Sequence, residues 1–142
     1  MAGFPKSFKI FAHGNGKKRS AVIVNSNSVD AVAIQQVSDE ETTLIEIRYK
    51  GLTFSGASLY FAIDRDIERD IRKVEEIKEL TRGKDLILSI DNNSRSKLWH
   101  DTYTNQRGKT LEEFVITSDL LLRKRRQAFL LLKLSEDEAG LI

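Results

Sequence analysis

The segment that decides the fold reads Asp85-Leu86-Ile87-Leu88-Ser89-Ile90-Asp91-Asn92-Asn93. Four of the five residues 86–90 are Leu or Ile, which is more apolar than a strand with one wet face allows. The run therefore predicts a buried central strand. In layered α/β proteins, ligands bind at the carboxyl ends of such strands, because the loops there leave the sheet without covering it.

Two polar side chains follow this predicted strand, two positions apart. Asp91 carries a carboxylate and Asn93 an amide, and both supply hard oxygen donors suited to Mg²⁺ or to placing a water near a phosphate. The alternative is a simple turn, because Asp and Asn side chains commonly form Asx turns. Spacing alone favours the turn over a catalytic site.

The composition describes one soluble domain. The chain has 142 residues, of which 40% are hydrophobic and 31% charged, and it has no cysteine. Disulfides, thiolate catalysis and Cys-based zinc sites are thereby excluded, which fits an intracellular protein. No apolar run approaches the roughly 18 residues of a membrane span, and the amino terminus lacks the apolar core of a secretory signal. With a net charge of +2, any nucleic-acid contact has to come from local patches.

The first half of the chain predicts a series of short strands separated by turn residues. The predicted strands are Phe8–Ala12, Ala21–Val24, Ala31–Val37, Leu44–Tyr49 and Ser55–Phe61. Because the connections between them are short, antiparallel pairing is expected.

Residues 64–82 predict one amphipathic helix, with Asp64 or Asp66 as the cap and Gly83 at the end. Its apolar stripe is Ile67, Ile71, Val74 and Ile77. A strand, this helix and the buried strand then form one right-handed crossover, whose two strands run parallel. Tyr60 and Asp91 are therefore expected at the same edge of the sheet.

The loop after Asn93, residues 94–109, interleaves basic and aromatic side chains. Its basic residues are Arg95, Lys97, Arg107 and Lys109, and its aromatic ones are Trp99, His100 and Tyr103. Such a mixture suits a phosphate backbone and stacked bases. The alternative, favoured by the loop alone, is a surface loop whose Trp99 fills the core.

The end of the chain changes character. A short helix is predicted from Gly108, with Leu111, Phe114 and Val115 facing inward, and a strand over residues 119–122. Residues 123–142 then combine a basic run at 123–126, an apolar run and an acidic end. Without turn signals, this tail predicts a poorly packed helix or an appendage.

The residues from Tyr60 to Phe114 resemble a known family. The matching pieces are the strand before Asp91-x-Asn93, then Leu98-Trp99-His100-Asp101, then Thr104-Asn105-x-Arg107-Gly108-Lys109-x-Leu111-x-Glu113-Phe114. In this order they resemble the endonuclease domain of non-LTR retrotransposons, within the endonuclease/exonuclease/phosphatase superfamily. The resemblance implies an α+β fold, a partial two-layer β-sandwich flanked by helices with one strand-helix-strand crossover.

The resemblance also implies a reaction, the Mg²⁺-dependent nicking of DNA by in-line attack of water. Asp91 would orient and deprotonate the water, Asn93 would hydrogen-bond the scissile phosphate or the metal shell, and Tyr60 would contact the same phosphate. A nuclear protein and a reverse transcriptase domain in the full-length element are expected. The candidate DNA contacts are Arg95, Lys97, Arg107 and Lys109.

The chain departs from the family pattern in ways that bear on activity. Asn92 replaces the usual Phe, and the family's amino-terminal Asn and Glu and its carboxyl-terminal Asp-His pair have no counterpart. Residues 1–122 are therefore interpreted as the central part of the domain and 123–142 as a divergent tail, with catalysis impaired. Two alternatives stay open: a non-catalytic nucleic-acid-binding remnant using residues 94–109 and 123–126, and a phosphoryl-transfer enzyme with Asp91 as covalent acceptor.

Overall fold

The computed structural model describes residues 8–124 and 129–134, with side chains described through residue 122. The two helices are α1 (Ile67–Leu80) and α2 (Gln106–Thr117), and a 3₁₀ turn spans Lys97–Trp99. The strands are β1 (Lys9–Phe11), β2 (Val22–Val24), β3 (Asp30–Ala33), β4 (Thr42–Tyr49), β5 (Leu52–Tyr60), β6 (Asp85–Asp91), β7 (Leu121–Lys124) and β8 (Phe129–Leu134). No described helix has the length and apolar character needed to cross a membrane.

Six strands form the main sheet, in the order β3-β4-β5-β6-β8-β7, and β1 and β2 form a small antiparallel sheet of their own. Within the main sheet β5 and β6 are parallel, while the other neighbours are antiparallel. The chain passes from β5 through α1 to β6, so the predicted crossover is confirmed. The predicted α+β fold class is confirmed too, since the described residues form a mixed α/β fold with two sheets and two helices.

The core lies between the main sheet and the two helices. Leu86, Leu88 and Ile90 of β6 have no exposed surface, because alternate residues of a strand point to the same face. They pack with the apolar stripe of α1 and with the inward face of α2. Trp99 is 1% exposed in the same cluster, so the prediction that it fills the core is correct.

Helix α1 begins where the sequence predicts. The Asp66 carboxylate accepts a hydrogen bond from the Glu68 backbone N–H at 3.0 Å, which caps the helix. Beyond its end, Gly83 has a φ of +79°, a left-handed conformation that glycine adopts without steric cost. The turn into β6 therefore follows directly from local sequence.

The predicted helix or appendage beyond residue 122 is wrong over residues 129–134. These residues form β8, which pairs with β6 on one side and β7 on the other, with Leu132 opposite Leu88. A buried strand such as β6 needs backbone partners along both edges, and the run Phe129–Leu134 supplies the second edge. Residues 125–128 and 135–142, including Arg125, Arg126 and the acidic end, lie outside the described residues.

Candidate active site

The candidate site lies where β5 and β6 end. In their parallel register, Tyr60 is opposite Asp91, and the Phe61 N–H donates to the Asp91 carbonyl at 2.9 Å. The preceding residues of each strand, Leu59 and Ile90, are buried against the helices. Because side chains alternate along a strand, Tyr60 and Asp91 project side by side from the other face. The expectation that the two residues share one sheet edge is confirmed.

Asp91 has an unusual carboxylate. The residue is half-buried, and its Oδ1 is buried with no hydrogen-bond partner among the described residues. A buried polar atom left unpaired costs on the order of 1–3 kcal/mol, so native structures seldom keep one without a reason. At the end of a central strand, a ligand or a bound water is the usual partner for such an atom.

Asn93 connects the two strand ends. Its backbone is left-handed, with a φ of 49°, a conformation that Asn tolerates better than most residues. The amide nitrogen donates to the Phe61 carbonyl at 2.8 Å. The amide oxygen has no partner among the described residues and remains an acceptor at the edge of the sheet. Asn93 is therefore held in place by the residue that follows Tyr60.

The turn interpretation of this segment also holds, at Asn92. This side chain is 1% exposed, and its Oδ1 accepts from the Ser94 N–H at 2.8 Å and from the Ser94 hydroxyl at 2.5 Å. That is an Asx turn. The Asx turn and the polar strand end therefore coexist, with Asn92 facing inward.

Arg107 is half-buried beneath the site. Its guanidinium donates to three backbone carbonyls, those of Arg65 at 2.6 Å, Ala62 at 2.9 Å and Asn92 at 3.3 Å. These carbonyls belong to the loops that follow β5 and β6. We call this set of contacts the Arg107 bridge. Three of its five N–H groups are engaged in this way and 15% of its side chain is exposed, so Arg107 has a structural role here. The DNA contact expected from the resemblance stays a prediction.

The residues around Arg107 shape the same loops. The Asn105 side chain accepts from the Gly108 N–H at 2.7 Å, capping α2, and from the Arg95 N–H at 3.2 Å. The Thr104 hydroxyl accepts from the Lys97 N–H at 3.0 Å. A Cβ at Gly108 would lie 1.8 Å from the Arg95 carbonyl oxygen, so only glycine fits there. The segment Thr104–Gly108 thus positions loop 94–105.

The other three candidate DNA contacts are on the surface. Arg95, Lys97 and Lys109 are all exposed. The Arg95 guanidinium lies over the Tyr103 ring, 5.0 Å from its centroid, in a cation–π contact worth about 0.5–1 kcal/mol at an exposed position. The pair presents a flat, positively charged surface of the kind on which bases stack.

A charged network next to Tyr60 was not predicted. Arg65 pairs with Asp70 of α1 at 2.5 Å and with Glu41 before β4 at 2.5 Å. Burial lowers the pKa of Arg65, but its hydrogen bonds to the two carboxylates outweigh burial, so the pKa lies above its ordinary value and the side chain stays charged. One signal was present in the sequence, because Asp70 lies on the helix face that carries the apolar stripe.

The described residues do not by themselves complete a metal centre. They contain no group of three His, Asp, Glu or Cys side chains that could hold a metal ion. Mg²⁺ is usually bound by one or two carboxylates together with waters and substrate phosphates. Asp91 supplies one carboxylate with an unpaired oxygen. That is enough to hold Mg²⁺ only when a substrate phosphate supplies further oxygen ligands.

Comparisons with known proteins define the fold. No protein-family model and no curated protein matches the sequence. Among solved structures, the endonuclease domain of TRAS1, a telomere-specific non-LTR retrotransposon, superposes with a TM-score of 0.82 at 16% identity, over 89% of this chain and 67% of that one. The chain therefore has the fold of that endonuclease domain, as the resemblance predicted.

Two Bacteroides thetaiotaomicron proteins share the fold at 13% identity and 90% coverage of this chain. One is the mannosyl-6-phosphatase Bt3783, with a TM-score of 0.62 over 63% of its length. The other is an endonuclease/exonuclease/phosphatase family protein, with a TM-score of 0.60 over 60% of its length. The chain thus spans about two thirds or less of these structures, and the shared fold is that of endonuclease/exonuclease/phosphatase proteins.

Replacing Gly108 with Ala should destabilise the protein by about 2–3 kcal/mol, because the added methyl group meets the Arg95 carbonyl. The sign is diagnostic, since Gly to Ala within a helix otherwise stabilises by up to about 1 kcal/mol. Urea unfolding followed by the fluorescence of the single tryptophan, Trp99, measures the change. Gly56→Ala is the control, because its Cβ would meet only Ile47 Cδ1 at 3.5 Å. Equal stability of the Gly108→Ala variant and wild type would contradict the packing described.

Removing the Arg107 bridge should also lower stability, by roughly 3 kcal/mol in Arg107→Ala, because three carbonyls lose their donor. Arg107→Lys should lose most of the same stability, since an ammonium cannot reproduce the spread of guanidinium donors. The same urea experiment applies. Lys109→Ala, an exposed change on the same helix, should stay within about 0.5 kcal/mol of wild type. A lysine at 107 that preserves full stability would refute the bridge.

Proposed function

We propose that the protein hydrolyses phosphoesters, as a nuclease or phosphatase-type enzyme. One observation carries the proposal: the Asp91 carboxylate, with a buried unpaired oxygen, lies beside Tyr60 at the exposed end of two parallel strands. The fold shared with an endonuclease domain and a sugar phosphatase supports the same reaction type. Fold alone does not choose between these substrates.

The sequence resemblance narrows the proposed substrate to DNA phosphodiesters. The pattern from Tyr60 to Phe114 resembles that of retrotransposon endonucleases, and the TRAS1 domain has the same fold. Surface residues Arg95, Lys97 and Lys109 supply positive charge near the loop that follows Asn93. By the same resemblance, we expect the protein to act in the nucleus, with a reverse transcriptase domain as partner in the full-length element.

In the proposed mechanism, each side chain takes the role that its unused hydrogen-bond donors and acceptors allow. Asp91 accepts the proton of the attacking water, whose oxygen bonds to phosphorus as the P–O bond to the leaving oxygen breaks. The Tyr60 hydroxyl donates to a phosphate oxygen. One N–H of the Asn93 amide donates to the Phe61 carbonyl, which fixes the side chain. Its second N–H can donate to the scissile phosphate, and its oxygen can accept a hydrogen bond from the attacking water. The leaving oxygen takes a proton from solvent.

Mg²⁺ dependence is part of the proposal and rests on the resemblance. The ion would supply positive charge opposite the developing negative charge on the phosphate. In this chain Asp91 would hold it, together with the substrate phosphate and waters.

A second candidate function is nucleic-acid binding without catalysis. It is favoured by the absence, among residues 8–124 and 129–134, of a group of three metal-ligating side chains. The exposed basic residues and the Arg95–Tyr103 stack would serve binding alone. Such a protein binds DNA in a salt-sensitive way that does not depend on Asp91.

Nicking of supercoiled plasmid in Mg²⁺ tests the two candidates. Asp91→Asn keeps the shape of the side chain but removes its basicity, so the rate should fall by about 10²–10⁴. EDTA should abolish nicking by the wild-type protein. The control is Asp119→Asn, an exposed residue with a φ of 57°, where asparagine is well tolerated.

Equal rates for Asp91→Asn and wild type would overturn the role of Asp91. If the wild-type protein fails to nick at every Mg²⁺ concentration, the hydrolase proposal fails. Salt-sensitive DNA binding that persists in Asp91→Asn, without nicking by either protein, would then favour the second candidate.

A further inference from the structure

A charged cleft adjoins Tyr60. A smaller cavity of about 140 Å³ is lined by Tyr60, and a larger one of about 430 Å³ is lined by Lys17 and Arg19. The two cavities share walls formed by Asp39, Glu41, Arg65 and Arg69. The two cavities therefore adjoin, and we call the pair the Arg69 cleft; its lining extends from Tyr60 to the loop before β2.

The loop at the far end of the cleft is held in place by Glu40. Its carboxylate accepts from the Asn15 and Gly16 N–H groups, both at 3.1 Å, and its carbonyl accepts from the Arg19 N–H at 2.7 Å. Backbone hydrogen bonds, the one from its own N–H first and that from Gly16 next, lower the pKa of Glu40. Its charge is therefore satisfied within the loop.

The other acidic groups of the cleft also have partners. Asp39 pairs with Lys73 at 3.2 Å. Glu41 and Asp70 both pair with Arg65 at 2.5 Å. Each carboxylate that lines the cleft therefore has at least one partner, a cation or a backbone amide, although Asp70 Oδ2 accepts no hydrogen bond.

Three cations remain. The side chains of Lys17 and Arg69 have no partner within the part of the chain that the structure describes, and both are exposed. Arg19 lies over the Tyr60 ring, 5.3 Å from its centroid, and pairs with Glu41 at the long distance of 3.7 Å. Because the Arg19 side chain is 44% exposed, this pair contributes little. The lining residues of the two cavities hold five cations and four carboxylates, a net charge of +1, and the side chains of Lys17 and Arg69 present positive charge to solvent.

We propose that the Arg69 cleft binds a second phosphate of the nucleic-acid strand whose scissile phosphate lies at Asp91 and Tyr60. Guanidinium groups match phosphate oxygens in geometry and charge, and Arg19 and Arg69 present two of them. The stacking of Arg19 on Tyr60 places the cleft next to the phosphate that Tyr60 would contact. The inference rests on the proposed function, which places the scissile phosphate at Asp91 and Tyr60. It adds the direction in which the nucleic-acid strand continues from there, along the Arg69 cleft.

The test is the binding of a short fluorescent DNA duplex in EDTA, measured by anisotropy over a range of NaCl concentrations. Arg69→Ala should weaken binding by about three- to tenfold and reduce the slope of log K against log salt by about 1. Arg69→Glu should weaken it further. The matched control is Arg72→Ala, which removes the same charge from an exposed position of the same helix, outside the residues that line the cleft.

Equal binding and equal salt slopes for Arg69→Ala and Arg72→Ala would overturn the inference. Thermal unfolding of both variants identifies any loss that comes from misfolding, and a weaker Arg69→Ala with an unchanged melting temperature supports the cleft. If the wild-type protein does not nick plasmid but binding still depends on Arg69, the hydrolase proposal fails and the cleft stands. If the wild-type protein nicks plasmid but Arg69→Ala binds DNA as well as Arg72→Ala does, the proposed phosphate site in the Arg69 cleft is wrong and the hydrolase proposal stands.

Discussion

Parallel pairing of β5 and β6 is the constraint on which the candidate site depends. It brings both strand ends to one edge of the sheet, so two loops leave the sheet at the same place. The carbonyls of these loops no longer have hydrogen-bond donors from a neighbouring strand. Arg107 donates to three of them, at Ala62, Arg65 and Asn92. Because an unpaired buried carbonyl is costly, one side chain from α2 stabilises the relative position of Tyr60 and Asp91.

This arrangement gives the segment Thr104–Gly108 a physical explanation. In the sequence it contributes to a resemblance with endonucleases, which suggests that its residues contact substrate. In the structure Asn105 caps α2, Arg107 bridges the strand ends, and Gly108 allows the Arg95 carbonyl to approach. The segment therefore supports the site indirectly, because the loops that carry Asp91 and Asn93 depend on it.

Which features could be predicted from the sequence depended on how far apart in the chain the interacting residues lie. Strand β6, helix α1 and their crossover follow from local patterns, an apolar run and a 3.6-residue stripe. Strand β8 was missed because Phe129–Leu134 has no decisive period, and its partner β6 lies more than thirty residues earlier. The Arg65 network was missed for the same reason, since Glu41 lies 24 residues before Arg65. The hydrogen bond from Asn93 to the Phe61 carbonyl could not be predicted either, because the two residues meet only when β5 and β6 pair.

The charges around Tyr60 divide into two groups with different functions. Arg65 is tied to two carboxylates and is 20% exposed, and breaking such a partly buried pair costs roughly 3–5 kcal/mol, so it is poorly suited to leave them for a phosphate. Arg69 and Lys17 have no such cost, because their side chains have no partner within the described residues and already face solvent. A phosphate that enters the cleft therefore gains most from the exposed cations. The Arg65 network keeps the loop around Tyr60 in place, and Arg19 stacks on the Tyr60 ring beside it.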